Sequence, residues 1–235
     1  NVETLGDCAF VNCAGIKEVN MPKLKIIEGV GGLFGQSGVE VVSNLGEITH
    51  LRSRTRQPSY SPFYNCTNLR KVVLPQSCVS LGLLSDIQNN AASGTFYGCT
   101  NLREINLEHV EYICDRSFYG CSSLEIDFVN DKVTELNVVF YNSGIKSINC
   151  PNLREIDSAF AYCSNLQGDV YLPNLESIGV ESFRGTLIST VSSLGNITEI
   201  GGRTFNGCTN LKKCVLPSTL QSIGSTAFYQ CMSSG

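Results

Sequence analysis

The sequence predicts an α/β repeat solenoid, and three observations carry that expectation: phenylalanine recurs at a near-constant interval, the same apolar pattern flanks it, and turn residues punctuate each unit. Ten of the eleven phenylalanines form a ladder at Phe10, Phe34, Phe63, Phe96, Phe118, Phe140, Phe160, Phe183, Phe205 and Phe228, with Phe128 outside it. The steps are 24, 29, 33, 22, 22, 20, 23, 22 and 23 residues, a base period of about 22 with two stretched units.

Each part of the unit has a physical reading. An apolar pair three residues apart precedes the phenylalanine, as in Val2 and Leu5, Leu175 and Ile178, or Leu220 and Ile223. A small residue follows at the third position and an apolar triplet after that, as in Phe96, Cys99, then Leu102, Ile105 and Leu107. Ile105 and Leu107 alternate with Glu104, Asn106 and Glu108, the pattern of a half-buried strand. Pro75, Pro173, Pro217, Gly179 and Gly224 end the strands and turn the chain. One unit cannot bury its apolar side alone, whereas stacking lays each ring on the next and makes a continuous core. Each buried ring contributes roughly 1.5 to 3 kcal/mol of transfer free energy, set against the entropy of ordering the chain.

LQSIGSTAFYQC near the C-terminus and FYGCTNLREINL mid-chain resemble the BspA-type leucine-rich repeat, L-x-x-I-G-x-x-A-F-x-x-C-x-x-L-x-x-I-x-L-P. The resemblance covers nearly all of residues 1–235 and departs at Phe34, Phe140 and Phe183, which are followed by Ser37, Ser143 and Thr186 where the pattern has cysteine. It implies a right-handed curved superhelix with parallel strands on the concave side and mostly loops and short helical turns on the convex side. It also implies surface proteins of host-associated microbes that mediate adhesion or binding. The chain is expected to be a single solenoid of about nine to ten repeats, cut from a longer chain, because both ends fall inside a repeat.

Bulk composition narrows the function classes. Charged residues are 16% of the chain against about 25% in ordinary soluble domains, and 42% are apolar, so much of the sequence faces inward and disorder is excluded. A formal charge of -4 gives no positive field for phosphates, so nucleic acid is not the expected partner. No stretch reaches the roughly 18 uncharged apolar residues of a membrane span, and the start lacks the basic and apolar runs of a signal peptide.

Seven of the twelve cysteines, Cys13, Cys66, Cys99, Cys121, Cys163, Cys208 and Cys231, sit three residues after a ladder phenylalanine. Exchange with Ser and Thr there points to a small buried side chain, while disulfides between adjacent rungs remain geometrically open. Cys150 and Cys214 take inward strand positions, and Cys8, Cys78 and Cys114 also lie off the ladder position. No cofactor is expected. Zinc calls for clustered ligands, and the two histidines, His50 and His109, fall in different repeats. His109, at a strand end, reads as a surface residue, and neither histidine has a partner for a Ser or Cys triad. Gly29, Gly31, Gly32 and Gly35 miss the phosphate-loop pattern because Phe34 takes the sixth position. Glu104, Glu125, Asp127 and Asp169 are the carboxylates a glycosidase could use, or else solvated strand-face charges. Two Asn-x-Thr sequons begin at Asn65 and Asn196.

Function is expected on the outward strand positions and the inserted loops. The middle of that face is acidic and carries Glu104, Asn106, Glu125, Asp127, Asn149 and Asp169, with Tyr171 as an aromatic anchor. The first stretched unit adds Arg52, Arg54 and Arg56, suited to an acidic partner, and the second falls around Leu81 to Gly94. The reading is a non-catalytic surface or secreted module that binds a protein or glycan, host-derived ligands included. A structural spacer and a carboxylate glycosidase stand as alternatives.

Overall fold

A computed structural model of the chain describes residues 1–28, 32–51, 61–82 and 94–231. The chain winds into coils that each contribute two short strands and one phenylalanine corner. The back series is β1 (Thr4–Leu5), β3 (Ile26–Ile27), β5 (His50–Leu51), β7 (Ser80–Leu81), β9 (Tyr112–Ile113), β11 (Glu135–Asn137), β13 (Glu155–Asp157), β15 (Ser177–Ile178), β17 (Glu199–Ile200) and β19 (Ser222–Ile223). The front series is β2 (Glu18–Asn20), β4 (Val41–Asn44), β6 (Lys71–Val72), β8 (Glu104–Ile105), β10 (Asp127–Val129), β12 (Ser147–Asn149), β14 (Gln167–Tyr171), β16 (Leu187–Ser193) and β18 (Lys213–Cys214). Every pairing joins a strand to its counterpart one coil on, and every pairing is parallel, as in β2-β4-β6-β8 and β11-β13-β15.

The register keeps like residues over like. Val19, Val42, Val72 and Ile105 form one inward front row; Leu136, Ile156 and Ile178 form a back row. Between the series lies the phenylalanine column. Its nine successive ring pairs stand 5.1 to 5.9 Å apart with planes within 18° of parallel, close to the offset stacking aromatic rings prefer. Phe34 through Phe205 are fully buried, and Phe10 and Phe228 are half-buried. Phe63 to Phe96 spans the longest sequence step, yet those rings are 5.3 Å apart, so the inserted residues add nothing to the rise. Phe128 occupies an inward strand position and tilts against Phe140 at 4.8 Å.

The corners are hydrogen-bonded turns, and no helix is found among the described residues, where the sequence reading placed short helical turns. The phenylalanine N–H donates one coil onward, as from Phe96 to the Ser117 carbonyl at 2.8 Å, so the turns stack through their own main chain. The front strand expected from the apolar triplet is present. The back series was hidden, because most of its strands have only two residues and cannot display an alternation.

The three corners without cysteine also bring their next apolar residue one position early. At two of them the slack is taken up by glycine pressed on the preceding coil. A Cβ on Gly38 would lie 2.0 Å from the Ala14 carbonyl oxygen, and one on Gly144 would lie 2.4 Å from that of Ser122. Any side chain there would push the coils apart.

All twelve cysteines are free thiols. The Phe+3 cysteines have a role beyond small size: each of six thiols donates to the carbonyl of the previous coil's phenylalanine. The pairs are Cys66 to Phe34 (2.9 Å), Cys99 to Phe63 (3.0 Å), Cys121 to Phe96 (3.2 Å), Cys163 to Phe140 (2.9 Å), Cys208 to Phe183 (3.0 Å) and Cys231 to Phe205 (2.8 Å). Burial raises these thiols, to about 11 for Cys163 and about 12 for Cys208, so they stay protonated donors at neutral pH.

Candidate binding surface

Parallel in-register pairing sets each outward residue beside its counterpart one coil away. On the front face one row runs Glu18, Val41, Lys71 and Glu104; Asp127 faces Ser147, and Asp169 faces Thr190 and then Lys213. The acids are thereby engaged. Glu104 takes the Lys71 ammonium at 2.8 Å, which holds its carboxyl below the ordinary range, and Glu125 takes Lys146 at 3.3 Å. Hydroxyls from the next coil serve the others: Ser43 donates to Glu18 (2.5 Å), Ser147 to Asp127 (2.6 Å) and Ser192 to Asp169. Each of these acids has an ammonium or hydroxyl in hydrogen-bonding reach, so the field of the face is weaker than the acid count suggests.

A second row carries the larger exposed groups. Val129 faces Asn149, and Tyr171 faces Ser193. Tyr171 is 57% exposed and Val129 53%, two of the eleven large apolar residues that stand exposed among the described residues. Asn106 is different. Its amide donates to the Leu74 carbonyl (2.9 Å) and accepts from the Leu74 N–H (2.8 Å), so its polar atoms tie two coils together. The structure therefore sets Asp127 beside Ser147 and Val129 beside Asn149 on the β10-β12 pair, places Asp169 and Tyr171 on the separate β14-β16-β18 sheet, sets Glu104 and Glu125 beside lysines, and gives Asn106 to the scaffold. Arg52, Arg54 and Arg56 lie outside the described residues.

His109 is half-buried against the sequence expectation. Its Nε2–H donates to the Pro75 carbonyl at 3.0 Å, while Nδ1 is enclosed without a partner. Among the described residues no group of three or more His, Cys, Asp or Glu side chains could hold a metal ion. No helix among them is long and apolar enough to cross a membrane.

One surface feature escaped the sequence reading. Tyr64, Tyr97, Tyr119 and Tyr141 each follow a ladder phenylalanine and form a second stack outside the core, with centroids 5.6, 4.9 and 4.9 Å apart. Tyr162 continues it at 5.3 Å, tilted, and the Arg184 guanidinium closes it at 5.0 Å from the Tyr162 ring. The signal was the Phe-Tyr pair repeated at 63–64, 96–97, 118–119 and 140–141.

A stack of parallel-stranded coils with an aromatic spine and one broad outward strand face defines the class of leucine-rich-repeat solenoids. The particular family follows from the sequence: the model described as BspA type leucine-rich repeat region matches in six copies, over residues 1–91, 40–137, 87–208 and 136–234, and the chain belongs to that family. Such repeat proteins generally mediate protein interaction or adhesion and are typically non-enzymatic. Among solved structures the chain is similar to a leucine-rich repeat protein of T. pallidum, at 21% identity over 83% of this chain and 77% of that one, with a TM-score of 0.50. It also resembles a leucine-rich repeat protein of Bacteroides ovatus, at 20% identity over 98% and 80% of the two chains with a TM-score of 0.42. A leucine-rich cell surface protein of Faecalibacterium prausnitzii matches at 17% identity over 91% and 76%, with a TM-score of 0.31. No curated protein matches the chain.

Proposed function

We propose that this chain is a non-catalytic adhesion module of a secreted or surface protein, and that its front strand face holds a protein or glycan partner, host-derived ligands included. The observation that supports this reading is the middle of that face. Val129 with Asp127 and Tyr171 with Asp169 stand on successive strand groups of the front face, Val129 and Tyr171 exposed, and both acids have hydroxyls of the next coil, not cations, as partners. An exposed aromatic anchor ringed by polar groups is the composition of an interaction hot spot. Family membership adds weight to a binding role, and surface placement follows by the same analogy.

The test is binding of the labelled full chain to an array of immobilised extracellular-matrix proteins and glycans. A variant carrying Tyr171→Ala with Asp127→Lys and Asp169→Lys is expected to lose at least tenfold in affinity while keeping its unfolding midpoint. Binding unchanged in that variant would move the contact off this face. No binding by the unaltered chain to any arrayed molecule would favour the spacer reading, and release of sugar from an arrayed glycan would favour the glycosidase.

A further inference from the structure

The phenylalanine corners carry a second surface, distinct from the strand face. Three columns of side chains run along it: the tyrosines just after each phenylalanine, then Asn65, Gly98, Gly120 and Asn142, then Thr67, Thr100 and Ser122. The middle column adopts left-handed backbone, with φ from 50° to 73° at those four residues. Asn65 and Asn142 show that a side chain is tolerated there, so glycine at 98 and 120 is not demanded by φ alone. Gly120 lowers the floor between the tyrosines and the hydroxyls, since a Cβ there would meet nothing nearer than 3.9 Å, whereas Gly98 makes room for the Asn65 amide, whose oxygen would lie 2.0 Å from a Cβ at that position. Toward the N-terminal side this floor runs into a groove of 510 Å³ lined by Gln36, Asn65, Thr67, Asn68 and Thr100 among others, none of them charged. The grooves elsewhere differ: one is lined by Arg70, Lys71, Arg103 and Glu104, another by Asp131, Lys132, Arg154 and Glu176.

We propose that this trough is a subsite for a neutral, extended β-linked polysaccharide lying along the solenoid axis. Tyrosine rings recur every 4.9 to 5.6 Å, close to the advance of one sugar unit in such a chain. Their faces are spent on one another, which leaves ring edges and hydroxyls to meet sugar C–H and O–H groups. The phenol oxygens of Tyr97 and Tyr141 have no protein hydrogen-bond partner among the described residues. Half-buried, mutually stacked rings are already ordered, so binding costs little side-chain entropy. An extended peptide is disfavoured, because strand addition needs free main-chain groups. Here the N–H groups of Asn65, Gly98 and Gly120 already donate to the carbonyls of Tyr97, Tyr119 and Tyr141 at 2.8 to 2.9 Å. The groove lined by Gln36, Asn65, Thr67, Asn68 and Thr100 holds no charged group to attract an anionic polymer, and the cations near the tyrosines are Arg116, which acts on the Tyr97 phenol, and Arg184 at the far end of the row over Tyr162.

The full chain would be run in native gels cast with hydroxyethylcellulose or galactomannan, and titrated calorimetrically with cellohexaose and mannohexaose. Retardation by at least one neutral β-linked polymer is expected, with none by alginate. Gly120→Asn keeps a left-handed residue where a Cβ would approach nothing nearer than 3.9 Å, so it folds while filling the trough; it should weaken binding tenfold or more. Tyr97→Phe with Tyr119→Phe keeps the stack and removes two hydroxyls, for a loss of about five- to 150-fold at roughly 0.5 to 1.5 kcal/mol per hydrogen bond. Absence of retardation by every neutral polymer overturns the inference, as does undiminished binding by Gly120→Asn or retardation confined to alginate. If the Asp127→Lys and Asp169→Lys face variant abolishes retardation and Gly120→Asn does not, the glycan belongs to the strand face, and this inference falls while the earlier reading stands.

Discussion

The Phe96 carbonyl accepts two hydrogens, the Cys99 N–H of its own turn at 3.1 Å and the Cys121 thiol of the next coil at 3.2 Å. Serine and threonine fit the same small space but bond differently: Thr186 donates to the Phe183 carbonyl of its own turn at 2.9 Å, and the Ser37 and Ser143 hydroxyls meet the Cys66 and Cys163 sulfurs of the next coil at 3.7 and 3.4 Å. The pH dependence follows from the thiol donors. The raised thiols, about 11 in Cys163 and about 12 in Cys208 against an ordinary 9.0, hold their protons longer in the folded chain than in the unfolded one. Their contribution is therefore complete below pH 9.0 and is lost as pH rises through 11 to 12. Denaturant midpoints should hold up to about pH 9 and fall above it, and iodoacetamide at pH 8 should label exposed Cys8 far faster than Cys121. Asn130 gives the sharper test. Buried at an inward position, it donates to Leu107 and Val110 and accepts from the N–H groups of Lys132 and Val133, at 2.7 to 2.9 Å. Asn130→Ala strands three main-chain groups, the Val110 carbonyl and the Lys132 and Val133 N–H groups, while the Leu107 carbonyl keeps the Val110 N–H at 3.1 Å; it should cost about 3 kcal/mol or more in urea unfolding, as buried unsatisfied groups cost about 1 to 3 kcal/mol each. Phe118→Ala should cost roughly 3 to 5 kcal/mol, since the lost ring leaves a void in a continuous stack.

A coil holds its neighbour at set points of close approach. Gly38→Ala should destabilise by about 2 kcal/mol or more, because the new methyl meets the Ala14 main chain. Gly15→Ala, where nothing lies within 4 Å, should change stability by less than about 0.5 kcal/mol. Equal losses in thermal unfolding would contradict this account of the shortened corners. The same element shows what the residues could reveal and what they could not. The phenylalanine interval, the front strands and their outward residues were legible, because ring spacing and Ile105-Leu107 alternation are properties of the chain itself. The back series was not, because a two-residue strand such as β9 has no period; only its partner one coil away makes it a strand. Asn106 misled for a related reason. Its position is outward, but its amide turns along the sheet to the Leu74 main chain, which position alone does not reveal. The tyrosine stack was legible in principle from the repeated Phe-Tyr pair, and it became a surface only when four corners were seen one above another.

At the scale of the whole molecule, contacts join each coil to the next, so stability is a sum of coil and interface contributions. Phe34→Leu and Phe205→Leu, which share no neighbour, should add to within about 0.3 to 0.5 kcal/mol. Phe118→Leu with Phe140→Leu, whose rings are 5.2 Å apart, should depart from additivity. A double-mutant cycle on both pairs decides between a linear array and a globally cooperative core. Insertions fit the same scheme. The rings on either side of the longest sequence step remain 5.3 Å apart, so lengthening one turn leaves the interface between coils as it was.

That indifference to turn length reaches into how such a chain can change over generations. A tandem duplication of about 22 residues that starts and stops at the same point of the unit inserts one more copy of an existing layer, already matched above and below. The tyrosine row and the strand face would each lengthen by one step in the same event. The length of both surfaces can thus be altered by copying, without new packing having to be invented.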